Sequence, residues 1–155
     1  MKISELLSEK LIIADLKAGT KQMALEEMVA CLAANRHGVD LKDLYHVLIE
    51  REKLGSTGIG NGIAIPHGKL DGLENICLVF ARSTAGIEFD SLDGKPAHLI
   101  FLLVAPSNSA GVHLKALARL SRLLKEKNFR DNLLGAPDAE ALYTIVVDED
   151  ERITA

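Results

Sequence analysis

The chain predicts an α/β or α+β fold in which helices cover both faces of a central sheet. Three observations carry this. Apolar residues recur at helical spacing toward both ends of the chain, short apolar runs fill its middle, and turn residues such as Asp93-Gly94 separate those runs. The 155 residues, 48% hydrophobic, can build one substantial core but not two, so a single domain spanning 1–155 is expected.

The first helix follows Thr20 and passes Met23, Met28, Val29 and Leu32 before Asn35-Arg-His-Gly38, where cations are favoured and glycine turns the chain. A second spans 40–53, with Asp40 as N-cap and Leu41, Leu44, Tyr45 and Leu48 at i, i+3, i+4 and i+7. Strands are predicted at 62–65, ending at Pro66, and at 76–81, 87–89 and 99–104. Helices resume at 110–125, where Leu114, Leu117, Leu120, Ser121 and Leu124 form the stripe, at 128–134, and from Asp138 to Val147. The acidic run Asp148-Glu-Asp-Glu151 then reads as a solvated tail.

Composition excludes several function classes. A net charge of −4 leaves no electrostatic footprint for nucleic acid. The amino terminus lacks an unbroken apolar signal segment, and no run approaches the roughly 20 apolar residues of a membrane span. The two cysteines, Cys31 and Cys77, sit in apolar patterns and read as buried thiols of a cytoplasmic protein.

The chemistry concentrates in Gly55-Ser-Thr-Gly-Ile-Gly-Asn-Gly-Ile-Ala-Ile-Pro-His-Gly-Lys69. This run is not a P-loop: five residues separate Gly62 from Gly68-Lys69 where four are needed, and Leu70 stands in place of Ser or Thr. Nor does a βαβ unit with a ribose-binding acid follow it. A glycine-dense loop of exposed amides suits an anion, and His67 behind it can itself be the nucleophile, held in direction by Pro66.

The same run resembles the active-site signature of the fructose- and mannitol-type enzyme IIA family of the bacterial phosphotransferase system, the nitrogen-related group in particular. Supporting matches extend from Ile3-Ser-Glu-Leu-Leu through Glu50-Arg-Glu-Lys53 to Gly86-Ile-Glu-Phe-Asp90 and His113-Leu-Lys-Ala-Leu, so nearly the whole chain is covered as one IIA domain. The resemblance implies that the sheet is mixed. It also implies that His67 accepts a phosphoryl group from an HPr-type phosphocarrier, that Arg51 contacts that group, and that His113 lies beside His67. An acceptor IIB domain, or regulated partners such as kinases and potassium transport proteins, is implied in the same way.

Read without the resemblance, Arg51 lies at the edge of the second helix's apolar stripe, in the last turn. It is either a planar phosphoryl-binding fork or an ordinary cation at a helix C-terminus. His113 faces inward in a first helical turn, either as a ligand for an anion or as a satisfied core histidine. Of the other histidines, His37 belongs to the helix stop, His46 lies opposite its stripe, and His98 opens a strand and is placed toward solvent. No ligand spacing marks a metal site, and no cofactor is implied. Three functions compete: a regulatory phosphocarrier, a sugar-specific IIA component feeding a IIB domain, and a regulatory binding protein without phosphotransfer.

Overall fold

The computed structural model describes residues 1–154. Two short 3-10 turns, Ile3–Glu5 and Glu9–Leu11, lead into β1 (Ile12–Ile13). Helix α1 (Lys21–Asn35) is capped by Thr20, whose Oγ1 accepts from the Met23 N–H at 3.2 Å. Helix α2 (Leu41–Lys53) is capped by Asp40, as expected, through the Asp43 N–H at 3.0 Å. The strands β2 (Gly58–Gly60), β3 (Ile63–Ala64), β4 (His67–Leu70), β5 (Cys77–Ile87) and β6 (Ala97–Pro106) follow, then helices α3 (Ala110–Leu124), α4 (Lys127–Gly135) and α5 (Ala139–Thr154).

The six strands form one sheet in the order β1-β5-β6-β3-β2, with β4 also beside β6. Strands β5 and β6 pair antiparallel, β1 runs parallel to β5, β3 and β4 run parallel to β6, and β2 is antiparallel to β3, so the sheet is mixed. Every residue of β6 from Leu99 to Pro106 is buried, as a strand covered on both faces must be. Helices α1 and α2 pack together and reach β5 and β4, while α3, α4 and α5 pack on one another and reach β6 and β1. The predicted layers are therefore present.

Four local expectations fail for identifiable reasons. The strand at 62–65 does not end at Pro66. Ile63 pairs with Leu99 and His67 with Leu103, one constant offset, so β3 and β4 form a single line along β6 that Pro66 interrupts without breaking. The proline has no N–H to give, yet its carbonyl still accepts from the Leu103 N–H at 3.0 Å. The runs at 76–81 and 87–89 are largely one strand, β5, whose register shifts between Arg82 and Ile87; Phe89 lies beyond its end. Arg82 stays buried inside that strand because its guanidinium donates to the carbonyls of Ala14, Leu133 and Ala136.

In α3 the buried face is His113, Ala116, Leu120, Leu123 and Leu124, and Leu114 points outward, so the stripe is rotated from the leucine pattern. The acidic run is not a tail. Helix α5 continues through it to Thr154, and Asp150 is fully buried. Its carboxylate accepts from Arg119 Nε at 2.8 Å, from the Ser4 N–H at 2.9 Å and from the Ser4 hydroxyl at 3.0 Å, which ties the chain's two ends together.

Candidate functional site

His67 begins β4 directly after the Ile65-Pro66 interruption and is half-buried. Its Nδ1 lies 2.7 Å from the Ile65 carbonyl oxygen. A carbonyl oxygen can only accept, so the proton is assigned to Nδ1 and the Nε2 lone pair is left available. Proline at 66 favours an extended Ile65, which keeps that carbonyl aimed back at the ring.

His113, in the first turn of α3, meets this ring edge-on, with centroids 5.4 Å apart and planes at 70°. It is only 7% exposed, and its Nε2 is buried without a hydrogen-bond partner among the described residues. Burial first, then the charges of His67 and Lys69, push its pKa below the ordinary histidine range. The site therefore holds a neutral His113 near pH 7.

Strand alternation adds a cation that sequence reasoning did not assign. A Cβ at Gly68 would meet Val47 Cγ1 of α2 at 2.6 Å, so residue 68 faces α2, and His67 and Lys69 share the opposite face with His113. Lys69 is exposed and makes no ion pair among the described residues. Its i, i+2 spacing from His67 on a strand was the available signal.

Arg51 occupies the last turn of α2, half-buried, and donates from Nη1 to the Gly55 carbonyl at 2.9 Å. The structure thus joins the two histidines directly and sets the guanidinium against the loop. That loop differs from an open cradle of amides. Asn61 and Gly62, with φ of 58° and 76°, form the two-residue turn that closes the β2–β3 hairpin. The N–H groups of Thr57, Gly58 and Asn61 already donate to Glu52, Ser56 and Asp93 respectively.

The remaining histidines stay out of this cluster. His37 and His46 are exposed, whereas His98 is half-buried with Nδ1 at 2.8 Å from the Ser83 carbonyl, not facing solvent as expected. Cys77 is buried and Cys31 half-buried, both free, and burial raises both thiols' pKa. Among the described residues no group of three His, Cys, Asp or Glu side chains could hold a metal, and no helix is long and apolar enough to cross a membrane. Clefts of about 770 and 480 Å³ are lined by other residues. Next to His113 in the chain, Val112 and Leu114 are exposed, Val112 also lining the larger cleft, and Leu54 at the end of α2 and Ile59 in β2 are exposed as well.

Residues 5–149 match the sequence model of a family described as phosphoenolpyruvate-dependent sugar phosphotransferase system, EIIA 2. A nitrogen regulatory protein of Bradyrhizobium diazoefficiens is 44% identical, over 94% of this chain and 95% of its own. A fructose-specific EIIABC component of Bacillus subtilis is 38% identical over 97% of this chain, which spans 24% of that longer protein. The crystal structure of the nitrogen regulatory protein IIA-Ntr from Neisseria meningitidis superposes with a TM-score of 0.87 at 37% identity, covering 93% of this chain and 98% of that one.

Proposed function

Because the chain belongs to the phosphoenolpyruvate-dependent sugar phosphotransferase system EIIA 2 family, we propose that it is a cytoplasmic phosphocarrier that accepts a phosphoryl group on His67 from a phosphorylated HPr-type protein and acts as a regulator through that phosphorylation state. The observation that carries the site assignment is the 2.7 Å hydrogen bond from His67 Nδ1 to the Ile65 carbonyl. It leaves Nε2 as the atom that attacks phosphorus. The new Nε2–P bond forms as the donor's P–N bond breaks, and the electron pair of that bond returns to the donor ring. The proton stays on Nδ1, donated to the Ile65 carbonyl throughout, so the step needs no separate base.

The protein's remaining work is to position the partners and offset spreading negative charge. His113 is suited to it: its ring meets the acceptor ring edge-on, its Nε2 is buried without a partner among the described residues, and as an N–H that nitrogen can donate to a phosphoryl oxygen. Arg51 keeps free guanidinium N–H groups after its bond to Gly55, and Lys69 adds an exposed positive charge. The donor is a protein, which fits a half-buried His67 that lies outside both large clefts, with exposed Val112 and Leu114 next to His113 in the chain, better than it fits a deep pocket. Regulated partners, kinases or potassium transport proteins among them, would read the added charge on the same surface.

The 38% identity to the fructose-specific component supports a second reading, in which a IIB domain takes the phosphoryl group onward. Incubating phosphorylated protein with a fructose-type IIB domain separates the two. Retention of the label supports the regulatory carrier, and rapid loss to the IIB domain supports the sugar-specific one.

A further inference from the structure

The last turn of α2 sends two side chains into the loop that follows. Arg51 reaches Gly55, and Glu52 reaches further. The Glu52 side chain is only 6% exposed, and its carboxylate accepts from the Thr57 N–H at 3.1 Å and from the Thr57 hydroxyl. Lys21, the first residue of α1, supplies the countercharge at 2.8 Å, with its ammonium 4.8 Å above the Phe89 ring.

From Thr57 the connection runs to the acceptor ring. The Thr57 carbonyl accepts from the Ile65 N–H at 3.0 Å, and the Ile65 carbonyl accepts from His67 Nδ1 at 2.7 Å. Three successive hydrogen bonds therefore lead from a buried carboxylate to the imidazole nitrogen whose protonation decides which nitrogen is nucleophilic. A buried ion pair is seldom more stabilising than well-packed apolar residues of the same volume, whereas a carboxylate met by several donors from different elements fixes one geometry.

We propose that Glu52 is a positioning residue for His67, holding the ring's orientation and tautomer through Thr57 and Ile65. This rests on the reading of His67 as the phosphoryl acceptor. Glu52 touches no reacting atom, and its effect is felt in how often the ring presents a free Nε2 toward an incoming phosphorus.

Two variants test it, Glu52→Gln, which removes the charge at nearly constant shape, and Thr57→Val, which deletes the hydroxyl bond and keeps the amide. The first readout is the imidazole ¹⁵N spectrum of His67 in the folded, unphosphorylated protein. Wild type is expected to show Nδ1–H with unprotonated Nε2, and Glu52→Gln a mixture of tautomers. The second is phosphoryl transfer from an HPr-type donor, where kcat is expected to fall about three- to tenfold in Glu52→Gln with KM for the donor unchanged, since the docking surface is untouched. Thr57→Val is expected to move both readouts less, in the same direction.

A merely structural role would lower the melting temperature without altering the tautomer in the folded molecules. Wild-type tautomer and kcat in folded Glu52→Gln, or in Thr57→Val should the first variant not fold, would overturn the proposal. Absence of any phosphoryl transfer in wild type would overturn the acceptor reading, and the ¹⁵N spectra would still decide whether Glu52 sets the ring.

Discussion

Gly68→Ala perturbs the close approach of α2, which carries Arg51, to β4, which carries His67. Residue 68 sits between His67 and Lys69, and an added Cβ would lie 2.6 Å from Val47 Cγ1 and 3.7 Å from Leu48 Cδ2. Backbone strain does not enter, since Gly68 is not among the positive-φ glycines. Val47 is β-branched on a helix, where one χ1 rotamer dominates, so its methyl cannot simply swing aside and α2 must move from β4. Overpacking of this kind costs about 1–3 kcal/mol, while replacing glycine in an allowed conformation returns about 0.4–1 kcal/mol through the unfolded chain. The clash wins, with a net loss of about 1–2 kcal/mol and a fall in Tm of roughly 2–8 °C for a domain of this size. Thermal and urea unfolding of the four proteins in a cycle with Val47→Ala measure it. The double variant is expected to be more stable than the two single losses predict, by about 1 kcal/mol. Strict additivity, or Gly68→Ala as stable as wild type, would refute the close approach of α2 and β4.

Other perturbations address separate parts of the molecule. Arg51→Lys keeps a charge and loses the planar fork, so phosphoryl transfer is expected to slow about tenfold; unchanged single-turnover kinetics would remove Arg51 from the site. Asp150→Ala leaves the Arg119 guanidinium and the Ser4 N–H without their carboxylate, and urea unfolding is expected to show a loss of about 3–5 kcal/mol. A near-neutral result would mean that the acidic run is dispensable after all. His113 titrates below the ordinary range because it is buried and because His67 and Lys69 oppose its charge. The unfolded chain therefore binds a proton that the folded chain refuses, and stability conferred by the neutral ring is lost as pH falls below the unfolded value toward the folded one. His113→Gln removes this dependence, so the Tm difference between wild type and variant is expected to widen from about pH 5 to about pH 7.5; a constant difference would contradict the assignment.

How much could be read in advance depended on whether a residue's role is local. Asp40 announces itself as a cap because capping is decided within one turn. The Pro66-His67-Gly68 run points to His67, and the carbonyl its Nδ1 meets lies only two residues away, on Ile65. Arg82 could not be placed, since the carbonyls that satisfy it come from Ala14, Leu133 and Ala136, far away in sequence. Asp150 reads as a solvated charge because its neighbours are acidic, yet it is fully buried. Its spacing of four from Val146 and eight from Leu142 put it on the buried face, and only the pairing with Arg119 makes that tolerable. In α3 the leucines misled: the buried face is set by His113 and Ala116, and Leu114 is left outside. The glycines of the 55–68 loop suggest amides open to an anion, whereas the Thr57, Gly58 and Asn61 N–H groups already have acceptors. The Asn61-Gly62 turn and the approach of Gly68 to Val47 are geometric needs that composition cannot tell apart from binding.

Everything proposed for the site turns on His67 being the phosphoryl acceptor. Intact-mass analysis after incubation with phosphoenolpyruvate, enzyme I and an HPr-type carrier, beside a His67→Ala control, tests it most directly. One acid-labile phosphoryl adduct on wild type and none on His67→Ala is the predicted result. An adduct that persists in His67→Ala, or a label found on His113, would contradict the account.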